Sequence, residues 1–172
     1  PDVQLRARWQ FLGAQLDVYD GNFARALGAA ESALEGYRAC GDVRESCDVL
    51  NAIVLSLMEQ GRIDEATRRC EELIALTTRL DHRYILPIAL ANLACLQLAS
   101  GELVAAARSA RECFAGSRGE EDHRLAGFGH LLLAQIALAA EDAAEAEDEA
   151  EQAIGFLEDA PALLFVAEAA LA

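Results

Sequence analysis

The sequence predicts an all-α protein, an α-solenoid of stacked antiparallel helical hairpins, and three observations carry that prediction. An eight-residue frame recurs four times at intervals of forty: YDGNFARA (19–26), EQGRIDEA (59–66), ASGELVAA (99–106) and AAEDAAEA (139–146). Within each copy, small and apolar residues fall at spacings of three, four and seven, which is the periodicity of helices and not of strands. Alanine is abundant and only 3 prolines interrupt the 172 residues, so long helices meet few breakers.

The elements follow when Gly21, Gly61, Gly101 and Glu141 are superposed. Five residues later every copy has alanine (Ala26, Ala66, Ala106, Ala146), and four later a compact residue (Ala30, Cys70, Ala110, Ala150). Ala33, Leu73, Cys113 and Ala153 come next, then Leu34, Ile74, Phe114 and Ile154. Two residues after the turn stand Phe23, Ile63, Leu103 and Ala143, and seven before it Ala14, Val54, Ala94 and Ala134. A glycine with left-handed backbone ends one helix and starts a tight turn. Alanine and cysteine on the next helix let the two axes approach closely. Each copy is thus a helical hairpin too small to bury its own apolar face, and stacking the copies supplies the core. The repeats are placed near 3–40, 41–80, 81–121 and 122–158, in one domain spanning 1–172. FVAEAALA (165–172) matches LAQIALAA (133–140), so 159–172 reads as a cap or the first helix of a truncated fifth repeat. A chain that starts at Pro1 and stops in a helix-like stretch reads as a segment of a longer protein.

Glycine turn, then alanine, then a second small residue, with NLA at 92–94, resembles the tetratricopeptide repeat (TPR). The family period is 34; here it is 40, the longer variety found in arrays of large bacterial signalling proteins and transcriptional regulators. The resemblance implies a right-handed superhelix. The joints between repeats echo one another as GDVR (41–44), LDHR (80–83) and EDHR (121–124), each with Asp-x-Arg. Two departures stand out: Gly13 where the family has leucine, and Glu141 in place of the turn glycine.

Composition excludes several functions. Net charge is -15, and all 14 bases are arginine, so a nucleic-acid-binding surface is not expected. Without lysine, Walker-type phosphate binding and Schiff-base catalysis are excluded. Glu141, Asp142, Glu145, Glu147, Asp148, Glu149 and Glu151 crowd one helix, and the expectation is a solvated outer face. Five cysteines, odd in number and without a CxxC pair, point to a reducing, cytoplasmic setting. No apolar run reaches the length of a membrane span.

Residues that could carry chemistry do not assemble. His82 and His123 fall in similar places in successive joints, where exposed histidines are expected; without a third ligand they predict no metal site. His130 opens a helix and reads as a packed or groove histidine. No HExxH, GxSxG or phosphate loop occurs, so neither an enzyme nor a cofactor is expected. Cys70 and Cys113 occupy small-residue slots and read as buried.

In the resembled family the first helices of successive repeats line a concave groove. Carried over residue by residue, this implies Arg8, Phe11, Gln15 and Val18 in repeat 1, and Asp48, Asn51, Leu55 and Met58 in repeat 2. Repeat 3 contributes Ile88, Ala91, Cys95 and Leu98, and repeat 4 Phe128, Leu131, Gln135 and Leu138. Two readings of these leucines stand: contacts between neighbouring helices, leaving a narrower groove, or an apolar trough for a partner's helix or peptide. A lysine-asparagine clamp for C-terminal carboxylates is rejected, since lysine is absent and only Arg8 and Asn51 suggest it. The leading function is therefore a non-enzymatic scaffold or regulatory module that binds a peptide or helix, from another protein or from its own parent chain. The alternative is a small-molecule-sensing domain. Self-association through the solenoid ends is a third reading.

Overall fold

The computed structural model describes residues 2–115 and 120–157. The expected fifth-repeat or capping helix at 159–172 lies outside the described residues. Those described form an all-α fold of consecutive helices packed on one another, the helical-repeat class. The helices are α1 (Val3–Tyr19), α2 (Phe23–Cys40), α3 (Val43–Glu59), α4 (Ile63–Arg79), α5 (Ile85–Ala99), α6 (Leu103–Phe114), α7 (Glu120–Ala139) and α8 (Ala143–Leu157). The chain divides into two compact units, 1–92 and 93–172. In the first, α1 packs on α2 and α3, and α3 on α2 and α4; in the second, α7 packs on α6 and α8. No helix among the described residues is long and apolar enough to cross a membrane.

Among the described residues, the joints at 21, 41, 61, 81, 101 and 141 share one geometry. Gly21, Gly41, Gly61 and Gly101 all have φ between 68 and 77, and Asp81 (φ 47) and Glu141 (φ 61) take the same left-handed backbone. Each ends its helix in a Schellman motif. The N–H of the residue after the left-handed one donates across the turn to the carbonyl five residues earlier, as in Asn22→Asp17, Asp42→Tyr37, His82→Thr77 and Asp142→Ala137. The Asp-x-Arg echo is consequently one residue out of register: Asp81 occupies the place of Gly41, and His82 that of Asp42. Asp42 caps α3 by accepting from the Glu45 N–H at 3.2 Å, and His82 Nδ1 accepts from the Ile85 N–H at 3.3 Å. His82 is buried, not exposed as expected, because it has become part of a helix start. His123 lies within α7 and not in a joint.

Glu141 occupies a conformation that costs an ordinary L-residue about 1–2 kcal/mol. Glu141→Gly is expected to stabilise the protein by about 1 kcal/mol, read as a raised denaturation midpoint, whereas Gly61→Ala should lower it.

The small residues of the repeat are the core. Ala26, Ala66, Ala106 and Ala146 are buried, as are Ala30, Cys70, Ala110 and Ala150, and Ala14, Val54, Ala94 and Ala134. Around them pack Leu50, Ile53, Leu57 and Leu73 in the first unit and Leu132, Leu133 and Ile136 in the second. Helices approach closely where Gly36 of α2 faces Ala7 of α1. A Cβ at position 36 would stand 2.7 Å from the Ala7 Cβ. Arg25 of α2 forms a two-pronged ion pair with the buried Asp17 of α1, fixing the hairpin at its turn.

Candidate functional site

Three odd-numbered helices place their side chains around one open cavity in the first unit. Phe11, Gln15 and Val18 come from α1, Asp48, Asn51, Ala52 and Leu55 from α3, and Ile85 and Ile88 from α5, with Tyr84 just before it. The cavity encloses about 420 Å³. Residues seven apart on α1 (Phe11, Val18) and on α3 (Asp48, Leu55) project to the same side of their helices. The 40-residue period then repeats this row from α1 to α3 to α5. Floor and walls are apolar: Phe11, Val18, Leu55, Ile85 and Ile88.

Polar groups are few. Asn92 Nδ2 donates to Asn51 Oδ1 at 2.9 Å, which occupies the Asn51 carbonyl and leaves its NH₂ group to donate elsewhere. Burial pushes the Asp48 carboxyl above its ordinary value, and the nearby His82 and Arg44 draw it partly back. A carboxylate so placed lacks full solvation, and a donor brought in by a ligand would restore it. Gln15 is exposed on the rim.

Of the groove residues implied by the sequence, Phe11, Gln15, Val18, Asp48, Asn51, Leu55 and Ile88 meet at this cavity. Arg8 instead lines an adjoining cleft of about 510 Å³, which Phe11 and Gln15 also border, walled by Tyr37, Asp42 and Glu45. Met58 is half-buried one turn beyond Leu55, outside the lining. In the second unit Cys95 and Leu98 on α5, and Phe128 and Gln135 on α7, are half-buried, and Leu138 is exposed. Leu131 and Ala91 are each only 2% exposed, and neither lines the trough. Burial pushes the Cys95 thiol up to about 11 and the Cys113 thiol up to about 12, so neither is a thiolate near neutral pH.

The sequence reading missed Tyr84 and Ile85. Tyr84 stands four residues before Ile88, and stepping the row back one turn would have reached it. It also missed a cluster in the second unit. His130 stacks on Phe156 with ring centroids 5.5 Å apart and lies 4.7 Å from Phe114, while its Nδ1 is 2.7 Å from Glu149 Oε2. The expected solvated acidic face of α8 is therefore partly engaged: Glu149 meets His130, Glu145 pairs with Arg111 at 3.1 Å, and Asp142 caps α8. Among the described residues, no group of three or more His, Cys, Asp and Glu side chains is arranged to hold a metal ion.

No family model matches this chain, and no curated protein matches it. Among solved structures the chain is similar to BtubC (BKLC) from P. vanneervenii, with a TM-score of 0.78 at 18% identity. The match covers 92% of this chain and 65% of that one, so this chain spans under two thirds of that structure's length. Likeness at such low identity bears on the fold alone.

Proposed function

We propose that the chain is a TPR-type, non-enzymatic interaction module that binds a peptide or short helix in the cavity formed by α1, α3 and α5. One observation supports this above the others: seven positions implied by the TPR resemblance, drawn from three helices, line a single open trough. Its composition suits an amphipathic segment. Phe11, Val18, Leu55, Ile85 and Ile88 accept apolar anchors, while Gln15, Asp48 and Asn51 offer hydrogen bonds to the segment's polar side or backbone. In such a module the partner is a protein, or another part of the parent chain, and the setting is cytoplasmic signalling or transcriptional regulation. The excess of acid makes direct nucleic-acid binding a poor fit.

A small-molecule ligand is the second reading, favoured by the volume. About 420 Å³ falls within the roughly 300–1,000 Å³ typical of ligand pockets, and Tyr84 and Phe11 supply aromatic surface.

Peptides selected by display against the chain, then titrated, distinguish the two. Leu55→Arg is expected to weaken the selected peptide by at least about tenfold, a loss of roughly 1.4 kcal/mol, with helix content unchanged. Undiminished binding by Leu55→Arg would place the peptide site elsewhere. Saturable metabolite binding without any peptide binder would favour the second reading.

A further inference from the structure

Helix α1 is apolar on two opposite faces. Ala7, Phe11, Ala14 and Val18 turn toward the hairpin and the trough. Leu5, Trp9, Leu12, Leu16 and Tyr19 form a second row across the helix, 53%, 67%, 42%, 67% and 90% exposed, and Leu5 and Leu12 also border the cleft beside the trough. These five follow one another at intervals of four, three, four and three, which is the spacing of a coiled-coil seam. A helix apolar around its circumference normally lies buried. The stripe offers on the order of 700 Å² of side-chain surface, close to the roughly 800 Å² that each partner contributes to a standard interface.

The charges beside the stripe specify an occupant. Arg6, Gly13 and Asp20 are seven apart and share one edge, positive at one end, bare in the middle and negative at the other. In a parallel pair this edge would face the opposite edge of the stripe, Arg8 and Gln15, and neither Arg6 nor Asp20 would meet an opposite charge. In an antiparallel pair related by a two-fold axis the edge meets itself reversed, and each Arg6 approaches the Asp20 of the other copy. The surface is thus complementary to itself in a single orientation, as a closed isologous contact requires.

We propose that the outward stripe of α1 is a homodimer interface, on which a second copy of this chain packs its own α1 antiparallel, with Leu12 near the two-fold axis and Arg6 paired to Asp20 across it. None of the five stripe residues lines the trough itself, while Leu5 and Leu12 border the cleft beside it.

Trp9 is the chain's one tryptophan and lies within the stripe, so its fluorescence reports the contact directly. Sedimentation equilibrium over a low- to high-micromolar series is expected to show a monomer–dimer equilibrium, with Trp9 emission moving to shorter wavelength over the same concentrations. Leu16→Glu, at an exposed position, is expected to weaken the dimer by at least about tenfold while retaining helix content. Arg6→Asp and Asp20→Arg should each weaken it, and the two combined should restore it, a readout that does not depend on Leu16→Glu folding. A monomer with water-exposed Trp9 at every concentration would overturn the proposal, as would a dimer indifferent to Leu16→Glu. A double swap no tighter than the single ones would overturn the antiparallel arrangement.

Discussion

Ile53→Ala is expected to destabilise the protein by about 2–5 kcal/mol, the range for deleting most of a fully buried aliphatic side chain. Ile53 sits mid-way along α3 with no exposed surface, beside Val49, Leu50, Val54 and Leu57, all likewise buried. Helix α3 contacts α1, α2 and α4, so a void there is bounded by helices already held by neighbours and has little freedom to collapse. The loss combines the transfer free energy of the deleted methylenes with that of the cavity left behind. Urea denaturation should show a lower midpoint with an unchanged slope. Val104→Ala, at a position 89% exposed, should move the midpoint by no more than about 0.5 kcal/mol.

Two glycines of α2 should respond to substitution with opposite signs. Gly36→Leu is expected to cost about 3 kcal/mol, because even a Cβ at this position would stand 2.7 Å from the Ala7 Cβ and 3.6 Å from the Ala7 Cα. Ala7 has no rotatable side chain to move aside, so α1 and α2 must separate. Gly28 lies in the same helix with nothing within 4 Å of its would-be Cβ. There Gly28→Ala should stabilise by about 0.5–1 kcal/mol, through helix propensity alone. Thermal melts of the two variants check the signs. Since α1 carries Phe11 and Gln15, Gly36→Leu should also weaken binding in the trough, and Gly28→Ala should not.

The helical hairpins were legible because their determinants are local and repeated. A glycine at the left-handed position and a small residue five later recur in the same frame, and both signals survive without knowledge of the tertiary structure. The turn at Glu141 was read from the repeat alignment, whereas the left-handed backbone at Asp81 was not legible, because no glycine marks it. At both Asp81 and Glu141 the turn is closed by a backbone hydrogen bond, His82→Thr77 and Asp142→Ala137, and nothing in the chemistry of glutamate announces it. His82 was misread for a related reason: its role as a cap depends on which residue ends α4, and the Asp-x-Arg echo pointed one residue away. The row of Phe11, Gln15, Asp48, Asn51, Leu55 and Ile88 followed from the TPR resemblance, carried over by register. Leu131 did not, because register fixes the direction in which a side chain leaves its helix but not whether a neighbour covers it. The His130–Glu149 contact was available from the last hairpin, whose turn begins near residue 140, about midway between positions 130 and 149. The outward stripe of α1 went unnoticed because helix α1 has small and apolar residues on both faces, so its inward pattern alone satisfies the repeat.

Peptide binding in the trough of α1, α3 and α5 is the central claim, and isoleucine methyl NMR tests it most directly. The chain has seven isoleucines, of which Ile85 and Ile88 line the trough and Ile136 and Ile154 belong to the second unit. Titrating a display-selected peptide into protein labelled at the isoleucine δ1 methyls should shift the Ile85 and Ile88 signals and leave Ile136 and Ile154 in place. Shifts confined to Ile136 and Ile154, with Ile85 and Ile88 unmoved at saturation, would contradict it.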